Sequence, residues 1–98
     1  MDYILFTYPN CDKCDAFKTY LKGTFPKGTL PEGTPFEGEE LSLVEKAGKM
    51  RVREYLGQIK RDDKGAIVLP IFVLREGGQV SGIFNTQAEL DGWLRSRV

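Results

Sequence analysis

The chain has 98 residues, enough for one domain with a modest core. Hydrophobic residues make up 41% and charged residues 29%, an ordinary globular composition that argues against disorder of the whole chain. The 14 basic and 14 acidic side chains balance, so net charge gives no reason to expect binding to nucleic acid or to an anionic membrane. We expect neither partner, and we expect a monomer.

The amino-terminal sequence predicts the cellular compartment of the protein. Residues 1–10 (MDYILFTYPN) lack the basic segment and the longer apolar stretch of a secretory signal peptide. No apolar run approaches the roughly 18 residues of a membrane span. These features predict a cytoplasmic protein, in a reducing compartment where structural disulfides are rare.

The first quarter of the chain predicts a strand followed by a helix. Residues 2–7 (DYILFT) form a short apolar run, which is typical of a strand buried on both faces. A helix is predicted over residues 12–22, because Cys14, Phe17 and Leu21 fall on one helical face.

Residues 23–38 differ in composition from the rest of the chain. They are rich in Gly, Pro and Thr and repeat a five-residue unit approximately: GTFPK, GTLPE, GTPFE. The prolines argue against a helix or a central strand, and the segment is long for a loop in so small a domain. Two interpretations stay open. The segment is either a turn-rich surface loop or a partner-binding loop that presents Phe25, Leu30 and Phe36 as apolar contacts.

A second strand and a second helix are predicted in the middle of the chain. Residues 39–44 (EELSLV) alternate weakly between polar and apolar side chains, as a strand does. Four apolar residues then recur at helical spacing, which predicts a helix over residues 46–60. These residues are Val52, Tyr55, Leu56 and Ile59.

The last third of the sequence predicts a β-hairpin and a third helix. Residues 66–75 (AIVLPIFVLR) and 79–84 (QVSGIF) are strands joined by a Gly-Gly turn. Thr86 and Glu89 have the spacing of a capping box, which begins a helix. The apolar face of this helix comprises Leu90, Trp93, Leu94 and Val98. The predicted order is β-α-β-α-β-β-α, so the fold class is α/β, with three helices covering a four-stranded sheet.

Two cysteines lie three residues apart in the segment YPNCDKCD, where the first strand ends and the first helix begins. The free amides and the dipole of a helix N-terminus stabilise an anion, so we expect the thiolate to be favoured at Cys11. Cys14 lies one helical turn later, with its side chain tilted back toward Cys11. It can therefore form a disulfide with Cys11 or attack a mixed disulfide formed there. This spacing predicts Cys11 as the nucleophile and Cys14 as the resolving thiol.

Three other interpretations of the pair stay open. A zinc site needs four ligands, whereas the chain has two cysteines and no histidine, so we expect no metal. A structural disulfide that closes so short a loop would constrain the unfolded chain little. The cysteines could also be packing residues placed together by chance.

Four segments, ILFTYPNCDKC (4–14), LPIFVL (69–74), VSGIF (80–84) and TQAELDGWL (86–94), resemble the glutaredoxins of the thioredoxin-fold superfamily. With the elements between them, the likeness covers most of the chain outside residues 23–38. It implies one glutaredoxin-like domain over residues 1–98, with a four-stranded mixed sheet flanked by three helices. In that family the proline matching Pro70 is cis and lies beside the nucleophilic cysteine, and the flanking backbone pairs with the substrate as an added strand does.

The sequence departs from the glutaredoxin pattern where that family holds glutathione. Tyr8 replaces a lysine, residues 68–70 (VLP) replace Thr-Val-Pro, and Ser81-Gly82 stands where Gly-Gly and an acidic residue are usual. The amides of Thr86 and Gln87 could still hold a carboxylate at the start of the last helix. The resemblance implies four substrate-binding residues: Tyr8, Leu69, Pro70 and Gly82.

The resulting prediction is a thiol–disulfide oxidoreductase that reduces protein or small-molecule disulfides. It needs no organic cofactor or metal, although glutathione is a possible co-substrate, and the electron donor is either glutathione or a reductase protein. An alternative is a redox-sensing regulatory or adaptor domain of the same fold, in which residues 23–38 dock a partner. A dimer that holds an iron–sulfur cluster through one cysteine per protomer plus glutathione is a third hypothesis.

Overall fold

The computed structural model describes residues 1–25, 27–30 and 33–96, as a mixed α/β structure. The strands are β1 (Asp2–Thr7), β2 (Glu37–Ser42), β3 (Ile71–Glu76) and β4 (Gln79–Phe84). The helices are α1 (Asp12–Thr24), α2 (Lys46–Val52) and α3 (Gln87–Ser96), and a short 3₁₀ helix, Arg53–Tyr55, continues α2. None of the helices in the described part of the chain is both long and apolar enough to cross a membrane.

The four strands form one mixed sheet in the order β2-β1-β3-β4. β1 runs parallel to β2, with Phe6 opposite Leu41, and antiparallel to β3, with Leu5 opposite Phe72. β3 and β4 pair as an antiparallel hairpin. Because β1 and β2 are parallel, their carboxyl ends lie at the same edge of the sheet, and α1 begins at that edge.

Each face of the sheet has its own apolar core, because successive side chains of a strand point to opposite faces. One core contains Leu5, Phe72 and Leu74 of the sheet, Phe17 and Leu21 of α1, and Leu90 of α3. The other contains Ile4, Phe6, Ile71 and Val73 of the sheet together with Val52, Tyr55 and Ile59. Helices therefore cover both sides of the two central strands, which explains their continuous apolar runs.

The segment between α1 and β2 is folded against the first core. This corrects one of the two interpretations of residues 23–38, the partner-binding loop that presents Phe25, Leu30 and Phe36 as apolar contacts. Phe25, Leu30 and Phe36 are buried, at 8%, 2% and 2% exposure. The Phe36 ring lies 4.6 Å from that of Phe25 and 5.1 Å from that of Tyr3, so the three aromatic rings pack together. Pro26 and Pro31 lie outside the described residues.

Several element boundaries differ from the sequence predictions. α1 continues two residues past position 22 to Thr24, since the N–H of Phe25 still donates to the carbonyl of Leu21. β2 begins at Glu37 rather than at position 39, because pairing with β1 starts at Asp2. β3 begins at Ile71 rather than at position 66, because the preceding proline has no N–H to donate to a sheet.

The second helix is shorter than predicted, and this is a further correction. α2 ends at Val52 and the 3₁₀ helix ends at Tyr55, whereas the sequence pattern extended the helix to position 60. Leu56 is 41% exposed, although Ile59 reaches the core. Three of the four apolar residues in the pattern are therefore buried, and Leu56 is not.

The hairpin and the capping box form as predicted. The turn residues Gly77 and Gly78 have φ values of 58° and 81°, the left-handed backbone that a two-residue hairpin turn requires. Glu89 N–H donates to Thr86 Oγ1 at 3.1 Å, and Thr86 N–H donates to Glu89 Oε1 at 3.0 Å. The predicted core position Val98 lies outside the described residues.

Candidate active site

The turn from β1 into α1 sets the position of Cys11. Asn10 has a φ of 58°, a left-handed conformation that asparagine tolerates better than most residues. Cys11 follows with an extended backbone and is the N-cap of α1. Its carbonyl accepts the first helical hydrogen bond, from Asp15 N–H at 3.1 Å. The reversal at Asn10 therefore places the Cys11 side chain over the open end of the helix.

Cys11 and Cys14 form a disulfide, with their Cα atoms 5.2 Å apart. The N–H of Cys14 also donates a hydrogen bond to Cys11 Sγ at 3.1 Å, so sulfur occupies the position where serine or aspartate usually caps a helix. In the reduced protein this donor and the helix dipole both favour negative charge on Cys11.

The two cysteines differ in accessibility. Cys14 is 1% exposed and packs with the core face of α1, whereas Cys11 is only partly buried. Asp12, Lys13 and Asp15 around them are exposed, so solvent screens their opposing charges. The asymmetry of the pair therefore comes from burial and the helix terminus rather than from neighbouring charged side chains.

The segment before β3 is fixed by a side chain from the other end of the hairpin. Leu69 and Pro70 are joined by a cis peptide bond, and Pro70 is buried. The Asn85 side chain is also buried, at 6% exposure. Its Nδ2 donates to the carbonyl of Val68 at 2.9 Å and to that of Pro70 at 3.0 Å. Asn85 thus ties the start of α3 to the segment that leads into β3.

A groove of about 270 Å³ lies between α1, Pro70 and the start of α3. Lys13 and Phe17 line it on the α1 side, and Asn85 and Thr86 line it on the α3 side. Its volume is slightly below the roughly 300 Å³ at which small-molecule pockets begin. The groove is therefore near the lower limit of size for a small-molecule site.

The predicted substrate-binding residues do not all lie at this groove. Pro70 lines it, whereas Tyr8, Leu69 and Gly82 do not. Tyr8 follows β1 and is 50% exposed, and Leu69 packs partly against the second core. Gly82 lies in β4, where an added Cβ would be 2.7 Å from Phe84 Cζ, so the Phe84 ring already covers that side.

The expected carboxylate site at the start of α3 is partly occupied by the protein itself. Glu89 Oε1 accepts hydrogen bonds from the backbone N–H groups of Asn85, at 2.8 Å, and of Thr86, at 3.0 Å. The Thr86 amide is therefore already paired, which corrects the expectation that it is free to hold a ligand carboxylate.

Two residues of the site, Asn10 and Asn85, were not among those that the sequence analysis predicted. Asn10 had a local signal, since Pro-Asn directly before a helix is typical of a turn. Asn85 had none, because its partners are 15 and 17 residues away and only the folded hairpin brings them together.

Among residues 1–25, 27–30 and 33–96, no three cysteine, aspartate or glutamate side chains cluster in a way that could hold a metal ion.

Neither a scan against protein-family models nor a search of curated proteins finds a match to this chain.

Proposed function

We propose that the chain is a glutaredoxin-like thiol–disulfide oxidoreductase, since its small α/β fold, mixed four-stranded sheet and Cys11–Cys14 disulfide fit a thioredoxin-like protein. The strongest support is the hydrogen bond from Cys14 N–H to Cys11 Sγ. It stabilises the thiolate on the cysteine that a substrate can reach, while the second thiol is buried one helical turn away. A nucleophile and a resolving thiol require this division.

The reaction proceeds in two displacements. In the first, the Cys11 thiolate attacks one sulfur of the substrate disulfide. A mixed disulfide forms at Cys11, the substrate disulfide breaks, and the other substrate sulfur leaves as a thiolate. In the second, Cys14 loses its proton to solvent and attacks Cys11 Sγ, so the Cys11–Cys14 disulfide forms and the remaining substrate sulfur leaves as a thiolate. Two electrons thus pass from the protein to the substrate.

An external thiol donor then reduces the Cys11–Cys14 disulfide, either two molecules of glutathione or one dithiol of a reductase protein. Pro70 and the backbone of Leu69 are proposed to contact the substrate, together with the groove beside Pro70. Tyr8 and Gly82 are proposed as further substrate contacts; like Leu69, they do not line the groove. The proposed mechanism needs no metal or organic cofactor. The dithiol that it uses would be kept reduced in the cytoplasm, the compartment that we propose.

Equilibration of the oxidised protein in glutathione buffers of graded redox ratio, quenched with acid and measured by mass, tests this function. Smooth interconversion of dithiol and disulfide, with a glutathione adduct on the Cys14→Ser variant, is expected if glutathione is the donor. A disulfide that glutathione does not reduce, but a purified disulfide reductase does, would identify a protein donor. Absence of reduction by either would contradict the oxidoreductase function.

The alternative of a redox-sensing adaptor made residues 23–38 the segment that docks a partner. Phe25, Leu30 and Phe36 are instead buried in the first core. The observation that would favour an adaptor is therefore missing, and we do not propose it.

A further inference from the structure

Asn85 is a buried polar residue that the chemistry of the two cysteines does not itself require. It lies between β4 and α3, and its side-chain Nδ2 bridges the carbonyls of Val68 and Pro70 at 2.9 and 3.0 Å. Both acceptors flank Leu69. A buried asparagine usually stabilises its immediate surroundings, but this one holds a segment 15 to 17 residues earlier in the chain.

Between these two bonded carbonyls lies Leu69, whose own backbone groups are unpaired in the described part of the chain. Val68 N–H donates to the carbonyl of Lys60 at 3.2 Å, the carbonyls of Val68 and Pro70 accept from Asn85, and proline has no N–H. Within the described part of the chain, neither the N–H nor the C=O of Leu69 has a hydrogen-bond partner. An unpaired donor and an unpaired acceptor on the backbone of one residue are what an added peptide strand pairs with.

We propose that Asn85 is a positioning residue, which fixes segment 68–70 so that the backbone of Leu69 pairs with a peptide whose disulfide Cys11 attacks. This inference rests on the proposed function and deepens it, because it makes a disulfide within a peptide backbone the preferred substrate class. The chemical step is the displacement already described. The Cys11–substrate bond forms, the substrate disulfide breaks, and the departing sulfur leaves as a thiolate.

Few side chains other than asparagine satisfy both carbonyls at this position. One primary amide nitrogen has two N–H donors, which matches two acceptors on either side of one residue. Aspartate has no donor when ionised, and its charge would face two carbonyl oxygens. Alanine would leave both carbonyls without a protein partner in a buried place, so segment 68–70 would be free to move.

A pair of substrates separates positioning from general destabilisation. The first is a disulfide-linked dimer of the capped peptide Ala-Ala-Cys-Ala-Ala, and the second is bis(2-hydroxyethyl) disulfide, which has no peptide backbone. Each is mixed with fully reduced protein, which is itself the electron donor, and the second-order rate constant is measured by acid quenching and mass. The variants are Asn85→Ala and, as a control of reduced stability far from the cysteines, Leu30→Ala.

Asn85→Ala is expected to lower the rate constant for the peptide disulfide about tenfold, the equivalent of two weak hydrogen bonds. The rate constant for bis(2-hydroxyethyl) disulfide is expected to fall much less than that for the peptide, because this substrate has no backbone to pair with Leu69. Leu30→Ala is expected to change neither rate constant by more than about twofold. Equal losses of Asn85→Ala on both substrates, or no loss on the peptide, would overturn the inference. If the unaltered protein reduces neither disulfide, the proposed function itself fails, which is a separate outcome.

A second measurement leaves Asn85 unchanged, in case Asn85→Ala does not fold. In the Cys14→Ser variant, Cys11 is converted to a mixed disulfide either with the same peptide or with 2-mercaptoethanol, and exchange of the Leu69 amide hydrogen is followed by NMR. The peptide adduct is expected to slow this exchange about tenfold relative to the small adduct, because the amide is paired. Equal exchange rates in the two adducts would contradict pairing at Leu69.

Discussion

Cys11 and Cys14 are joined twice, by a disulfide and by a hydrogen bond of 3.1 Å from Cys14 N–H to Cys11 Sγ. The first link exists only in the oxidised protein. The second uses a backbone group and can persist after reduction, when the sulfur is charged and the bond becomes stronger. The N-terminus of α1 therefore stabilises a thiolate at Cys11 and not at Cys14.

Serine substitutions at the two cysteines should have opposite effects on adduct formation. Cys14→Ser keeps the backbone N–H that bonds to Cys11 Sγ but removes the proposed resolving thiol, so a mixed disulfide with a small thiol should accumulate at Cys11. Cys11→Ser should give little adduct, since the remaining thiol is 1% exposed. Intact mass after incubation with a small disulfide measures both. An adduct mainly on Cys14 would reverse the assigned roles.

The Cys11→Ser variant also checks that any loss of reactivity is chemical. Serine is a favourable N-cap residue, so the free energy of unfolding of this variant should match that of the reduced, unaltered protein within about 0.5 kcal/mol. Urea unfolding under reducing conditions gives this comparison.

Substitution at Asn10 should test the left-handed turn before Cys11. Asn10→Val should lower the free energy of unfolding by about 1–2 kcal/mol, because a β-branched residue is strained at a φ of 58°. Asn10→Gly is the matched control and should stay within about 0.5 kcal/mol, since glycine adopts this backbone freely. Urea unfolding curves measure both, and equal losses in the two variants would argue against backbone strain.

The segment between α1 and β2 should behave as part of the core. Leu30→Ala should lower the free energy of unfolding by about 2–5 kcal/mol, because Leu30 is 2% exposed. Lys27→Ala, an exposed neighbour in the same segment, should change it by less than about 0.5 kcal/mol. A loss below 1 kcal/mol in Leu30→Ala would instead indicate a loosely attached loop.

Tyr20→Phe should stabilise the protein at neutral pH. The Tyr20 hydroxyl is buried and makes no hydrogen bond of good geometry within the described residues, although the Thr24 side chain lies close to it. Its removal should therefore raise the free energy of unfolding by about 1 kcal/mol. Thermal or urea unfolding at pH 7 measures the change. Unchanged or lower stability would show that the hydroxyl has a partner in solution.

The same tyrosine should make stability depend on alkaline pH. Burial, and then the negative charge of Asp91, raise the pKa of Tyr20 above 10.0; the Thr24 side chain lowers it, but by less. In the unfolded chain the phenol ionises near 10.0, so the unfolded state loses its proton first and stability falls as the pH rises past that value. The Tyr20→Phe variant should therefore lose less stability between about pH 9 and about pH 11 than the unaltered protein does.

Local sequence determined the elements whose signals are contained within a few residues. The apolar run of β1, the Gly77-Gly78 turn and the capping box of Thr86 and Glu89 each form where their pattern indicated. The Cys11–Cys14 disulfide belongs to this group, because three-residue spacing at a helix start brings the two sulfurs together without help from the rest of the fold.

Tertiary packing decided the features that depend on distant contacts. The sequence allowed Leu30 and Phe36 to be exposed residues of a loop. In the structure they are buried in the first core with α1 and β1, where Phe36 packs against Tyr3. Leu56 fitted a helical face but is exposed, because the chain leaves α2 before reaching it. Asn85 is adjacent to Val68 and Pro70 only because the β3–β4 hairpin folds the two segments together. Sequence periodicity reports what a residue does within its own element, whereas its partners across the sheet are set by how the elements pack.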